Sequence, residues 1–128
     1  MACFVLMPAV VNAKQSAVAS RIKRCVQATQ SSRDSGITSK MVQGESRYRQ
    51  CLLNVLSNTL SKKSIREQKT VKQVSQIARK IELTYLTYYC NLDQPGVGCG
   101  TMYIPMAKAN GNAFIMDFLK SVEEHQRH

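Results

Sequence analysis

Glycine and proline are absent from Ala9 to Ser35 and again from Glu45 to Leu92. Proline breaks a helix interior and glycine weakens one, so two long uninterrupted stretches predict long helices. The first runs from about Pro8 to Gln30, with Val11, Val18, Ile22, Cys25 and Val26 on one side and Lys14, Arg21, Lys23 and Arg24 interspersed. Residues 31–45 collect Ser, Thr, Asp and Gly and read as a linker.

A second helix is expected from about Ser46, where Tyr48, Cys51, Leu52, Val55, Leu56, Thr59 and Leu60 follow the i, i+3, i+4, i+7 rule. Ser61-Lys62-Lys63 ends it, and Ser64-Ile65-Arg66-Glu67 has the form of a capping box opening a third helix. The third stripe, Val71, Val74, Ala78, Ile81, Tyr85, Tyr88 and Leu92, steps by three and four as a coiled-coil seam does. Beyond Ile81 the helix also carries Leu83, Leu86, Tyr89 and Cys90, which favours the buried centre of a bundle, with an intermolecular seam as the alternative.

Residues 93–111 hold four of the six glycines and two of the three prolines, and predict a long irregular connection. Asn112 is placed as the N-cap of a last helix carrying Phe114, Ile115, Phe118, Leu119 and Val122 on one face. The fold class is therefore all-α, a compact bundle of four to five helices with a Gly/Pro-rich connection before the last. Residues 1–128 form one domain, with an apolar N-terminal segment at 1–8.

Charge narrows the partner class. Residues 1–80 hold fifteen basic and three acidic residues, 81–128 three basic and five acidic, and the whole chain is +10. A field of this sign attracts polyanions: nucleic acid, anionic lipid or an acidic protein. The five cysteines, Cys3, Cys25, Cys51, Cys90 and Cys99, are odd in number and no pair is spaced C-x-x-C, so they are expected to be reduced, small buried hydrophobes. The apolar start, MACFVLMPAVV, is too short to span a bilayer, which takes about 20 residues. Val11-Asn12-Ala13 has the form of a signal-peptidase site, yet no basic residue precedes the apolar run, and a retained segment and an intracellular protein, nuclear or cytoplasmic, are expected.

Catalytic chemistry has little to stand on. The histidines are His125 and His128, both in the C-terminal tail, and the eight acidic residues are scattered. Gly96-Val97-Gly98-Cys99-Gly100 matches no phosphate-binding motif and follows a helix rather than a strand. Glu82, in the most apolar helix, is either a solvated charge or a buried group with a specific partner. A non-enzyme without metal or cofactor is expected.

The basic constellation is left. At about 100° per residue, Lys62, Arg66, Lys69, Lys72, Arg79 and Lys80 lie opposite Val71, Val74, Ala78 and Ile81, with Lys63 beside them. Arg21, Lys23, Arg24, Arg47 and Arg49 extend this surface if the helices pack side by side, giving a stripe able to meet backbone phosphates or an acidic protein.

Within Arg47 to Tyr89, RYRQCLLNVLSNTL followed by VSQIARKIELTYLTYY resembles the central helical domain of transcription elongation factors of the IIS type, through Arg47, Cys51, Leu53, Leu60, Ala78, Ile81 and Glu82. The chain departs from that family after this stretch, lacking its Asn-Leu-Lys-Asp segment and zinc-ribbon cysteines. Ala78-Arg79-Lys80-Ile81-Glu82 is also similar to a turn of the coactivator KIX domain. Both resemblances imply a helical module of transcription. The expected function is binding of nucleic acid, or of a transcription or replication complex, without catalysis. The alternative is a protein-interaction or structural module, homodimeric through the third helix, that meets an acidic partner or an anionic membrane surface.

Overall fold

The computed structural model describes residues 2–60, 64–90 and 102–126, with side chains from Ala17 to His125 within those ranges. Four helices are present there, and no strand: α1 (Ala2–Arg33), α2 (Thr38–Thr59), α3 (Ile65–Cys90) and α4 (Tyr103–Gln126). The protein is an all-α bundle. α1 packs on α2, α3 packs on α4, and α2 meets α4, so α2 and α4 form the centre and α1 and α3 the flanks.

The centre is where the 3.6-residue period predicts it. Leu52 and Leu56 of α2 and Ile115 and Leu119 of α4 are fully buried, with Cys25 from α1 and Val74 and Ala78 from α3 closing the cluster. Each such Leu or Ile contributes about 1.5–3 kcal/mol by leaving water, the main reason the four helices associate.

The connection expected over 31–45 shortens to residues 34–37, and α2 starts eight residues earlier than Ser46. The polar and glycine content of this stretch serves a tight helical hairpin. Gly36 adopts a left-handed φ of 75°, and the Ile37 amide donates to Ser35 Oγ at 3.2 Å. Met41, Gly44 and Glu45 are buried. A Cβ on Gly44 would sit 2.9 Å from the Arg33 amide nitrogen and from Ser32 Cβ, so the first turns of α2 press against the last turn of α1 only because glycine is there.

The cysteines also depart from expectation. Cys25 of α1 and Cys51 of α2 form a disulfide across 26 residues of sequence, and Cys90 is disulfide-bonded as well. Reduced cysteines were the wrong reading: spacing along the chain carries no information on which helix faces meet.

α4 begins at Tyr103, inside the stretch expected to be irregular, with Pro105 in its first turn, where a missing N–H costs nothing. Residues 93–101 of that stretch lie outside the described residues. Asn112 is therefore not an N-cap; it stands mid-helix, buried. The C-terminal half of α3 is not a bundle centre either. Leu83, Tyr88 and Tyr89 are exposed, because α3 packs mainly on α4 and has a free outer side. No helix among the described residues is long and apolar enough to cross a membrane.

Candidate binding groove

The polar interior explains what holds α3 in place. Glu82 is buried, and its Oε1 lies 3.3 Å from Arg49 Nη2 of α2 and 3.2 Å from Lys108 Nζ of α4. Arg49 also donates from Nε to Asn112 Oδ1 at 2.7 Å and from Nη2 to the Lys108 carbonyl at 3.0 Å. Asn112 Nδ2 in turn donates to the Glu45 carbonyl at 2.9 Å and to Glu45 Oε1 at 3.1 Å. Three helices are thus tied by two carboxylates, two cations and one amide, a set whose formal charges cancel. Gly111 makes room for it: a Cβ there would lie 2.6 Å from the Ala78 carbonyl oxygen and 2.6 Å from Arg49 Nη2. Of the two alternatives for Glu82, the buried group with specific partners is the one present.

Arg49 is accordingly withdrawn from the cationic surface on which its sequence context places it. Its charge is spent on Glu82 and its guanidinium bridges α2 to α4. Arg33, absent from that surface too, donates to Thr29 Oγ1 at 2.9 Å and the Val26 carbonyl at 3.1 Å, and lies 4.5 Å above the Tyr48 ring. Burial pushes the Tyr48 hydroxyl above its ordinary pKa; the Arg33 charge opposes this and Glu45 adds to it.

The remaining cations of the expected surface fall into two groups. Arg21, Lys23 and Arg24 on α1 and Arg47 on α2 are exposed, as are Arg66, Lys69, Lys72, Arg79 and Lys80 on α3. α1 packs on α2 and α3 on α4, so these rows stand on opposite flanks rather than side by side. Lys62 and Lys63 lie outside the described residues.

The row on α3 borders a groove that the sequence pattern did not single out. Ile77, Ile81, Tyr85, Tyr88 and Tyr89, with Lys80, Thr84 and Asn110, line an open hollow of about 530 Å³. A second hollow of about 660 Å³ lies across the ridge formed by Lys80, Thr84 and Tyr88, against Leu83 and Thr87. Tyr88 is 80% exposed and Tyr89 52%. The rings are held by each other: Tyr85 and Tyr89 are 4.5 Å apart, Tyr88 meets Tyr89 edge-on at 4.8 Å, and Tyr103 of α4 stacks on Tyr89 at 5.7 Å. Ile104 and Met106 on α4 are exposed as well. The sequence signal for it was the surplus of apolar residues beyond the Val71–Leu92 stripe, read as burial.

Electrostatically the groove is one-sided. Of the two carboxylates on α3, Glu82 is buried and Glu67 half-buried, so the exposed side of this helix carries cations alone. At about 100° per residue, Arg66, Lys69, Lys80 and Thr84 fall within about 60° of one another, with Ile77 and Tyr88 adjoining them towards α4. Such a surface suits an extended or helical ligand with apolar anchors and negative charge. Among the described residues no cluster of three His, Cys, Asp or Glu is arranged to hold a metal ion.

No protein-family model, curated protein or solved structure matches the chain.

Proposed function

We propose that this protein is a non-catalytic docking module whose groove along α3 takes an acidic segment of a protein partner, anchored by apolar side chains. The observation that carries this reading is the exposed Ile77–Tyr88–Tyr89 area beside a row of cations uninterrupted by any exposed carboxylate on α3. Contiguous apolar surface with a polar rim is costly to leave in water and typical of interfaces, and rim cations select partners by sign and speed encounter. Arg66 to Lys80 spans about 21 Å at 1.5 Å per residue, room for about four turns of a partner helix.

A second reading, a nucleic-acid-binding module of transcription as the Arg47–Tyr89 resemblance implies, is favoured by one feature: Tyr88 stands beside Lys80 as a base-stacking ring beside a phosphate-binding cation would. The Cys25–Cys51 disulfide favours the protein partner, because nuclear and cytoplasmic thiols are kept reduced.

The test is fluorescence anisotropy at about 50 mM salt, where electrostatic attraction is strongest. The probes are a synthetic amphipathic peptide with Leu at i, i+3, i+4 and i+7 and Glu between, the same peptide with Lys for Glu, single-stranded RNA, duplex DNA and anionic vesicles. The docking reading expects the acidic peptide to bind, Tyr88→Ala and Ile77→Asp each to weaken it at least tenfold, and the Lys peptide to fail. Binding of RNA with a log–log salt slope of about 0.7 per phosphate contact, lost in Lys69→Glu with Lys80→Glu, would establish the second reading instead. Preference for vesicles over both, or equal affinity for the acidic and basic peptides, would overturn the docking assignment.

A further inference from the structure

The disulfides set a condition on where this chain folds. Cys25 is fully buried and bonded to Cys51, and Cys90, also buried, is disulfide-bonded too. Bonds of this kind persist in oxidising compartments and are rare where glutathione and thioredoxin reduce thiols. A chain that needs them needs a route to such a compartment.

Two further observations converge on its first residues. From Ala2 to Val11 there is no charged side chain, and the run ends in Val11-Asn12-Ala13, small residues at the third and first positions before the Ala13–Lys14 bond. Cysteine arithmetic agrees: five is an odd number, Cys3 lies inside the run, and without it four remain, so that all can pair. A second small-residue pair, Ala17 and Ala19, would be cut after Ala19 and so remove Val18, which is half-buried against the core, and this favours the earlier bond. The run has no lysine or arginine ahead of it, the feature that argued for retention; the buried disulfides and the cysteine count outweigh that.

We propose that residues 1–13 are a secretory leader cleaved at the Ala13–Lys14 bond, and that the domain folds and acts in an oxidising compartment. Cleavage is a hydrolysis: one water splits the amide, leaving a carboxylate on Ala13 and an ammonium on Lys14. Each disulfide then forms with loss of two protons and two electrons from its thiols, the electrons passing to the disulfide of a thiol–disulfide oxidoreductase of that compartment. The proposal is independent of the docking reading, since it concerns processing rather than the groove.

The experiment expresses the full chain with its own first residues and a C-terminal tag in cultured eukaryotic cells. The tagged protein is alkylated with maleimide under denaturing conditions and its N-terminus and mass are determined. The expected product starts at Lys14, takes up no maleimide before reduction and four after it. Ala13→Leu, which places a large side chain next to the scissile bond, is expected to remove the Lys14 terminus; this readout does not depend on folding, because cleavage precedes it. Intracellular retention of a product starting at Lys14 still supports the leader. A chain that keeps residues 2–13 and whose Cys25 and Cys51 react with maleimide before reduction would overturn the proposal, and a product starting at Ser20 would overturn the choice of bond.

Discussion

Replacing Glu82 with alanine tests whether the polar interior holds the bundle together. The substitution leaves Arg49 and Lys108, 3.3 and 3.2 Å from the lost oxygen, as two cations facing each other across α2 and α4. At an effective dielectric constant of about 20, each contact is worth about 5 kcal/mol of Coulomb attraction, offset by several kcal/mol of desolvation per ion. Removing one partner of a buried pair costs about 3–5 kcal/mol as a rule. Here the side chains of Arg49 and Lys108 keep 15% and 23% exposure, so both can recover some hydration and the low end, about 3 kcal/mol, applies. Urea denaturation followed by far-ultraviolet circular dichroism reads this as a lower midpoint at constant slope. The cycle Glu82→Ala, Lys108→Ala and their double variant is expected to show coupling of at least about 1 kcal/mol. A loss below about 0.5 kcal/mol for Glu82→Ala, with no coupling, would show the carboxylate behaving as an ordinary surface charge and refute the reasoning.

Gly111→Ala is expected to destabilise by about 1–3 kcal/mol despite alanine's better helix propensity, because its methyl group meets the Ala78 backbone at 2.6 Å; a gain in stability would show that α3 and α4 separate freely. Cys25→Ser with Cys51→Ser should cost about 3 kcal/mol, and an unchanged melting temperature would mean the cross-link contributes nothing. The raised Tyr48 pKa means the fold disfavours tyrosinate, so the bundle keeps this contribution below the ordinary value of 10.0 and loses it as pH rises through the higher folded value. Tyr48→Phe should therefore lessen alkaline unfolding above about pH 10, and an identical pH profile for the two proteins would contradict it. Leu56→Ala, at a fully buried site, should cost about 2–5 kcal/mol and Ile81→Ala, half-buried along the groove, clearly less; equal losses would place Ile81 in the core.

The sequence by itself determined that the chain is all-α and which faces of α2 and α4 turn inward. Leu52, Leu56, Ile115 and Leu119 repeat with the period of an α-helix, and a period of 3.6 states which side must leave water whatever the partner is. It also placed the start of the third helix at Ser64, one residue before α3 begins at Ile65. Tertiary structure alone decided the rest. Gly44 and Gly111 read as loop residues along the chain, but stand inside α2 and α4 at points where another backbone comes too close for a Cβ. Asn112 reads as a cap and is a buried bridge; Arg49 reads as surface charge and is half of an ion pair with a residue 33 positions away. Tyr88 and Tyr89 read as core and stand in solvent. Periodicity along one helix says which residues share a face, but which faces find a neighbour depends on how many helices pack there, and α3 has its main neighbour, α4, on one side. Pairing of cysteines and charges across helices is likewise a property of distance in space, which no local pattern encodes.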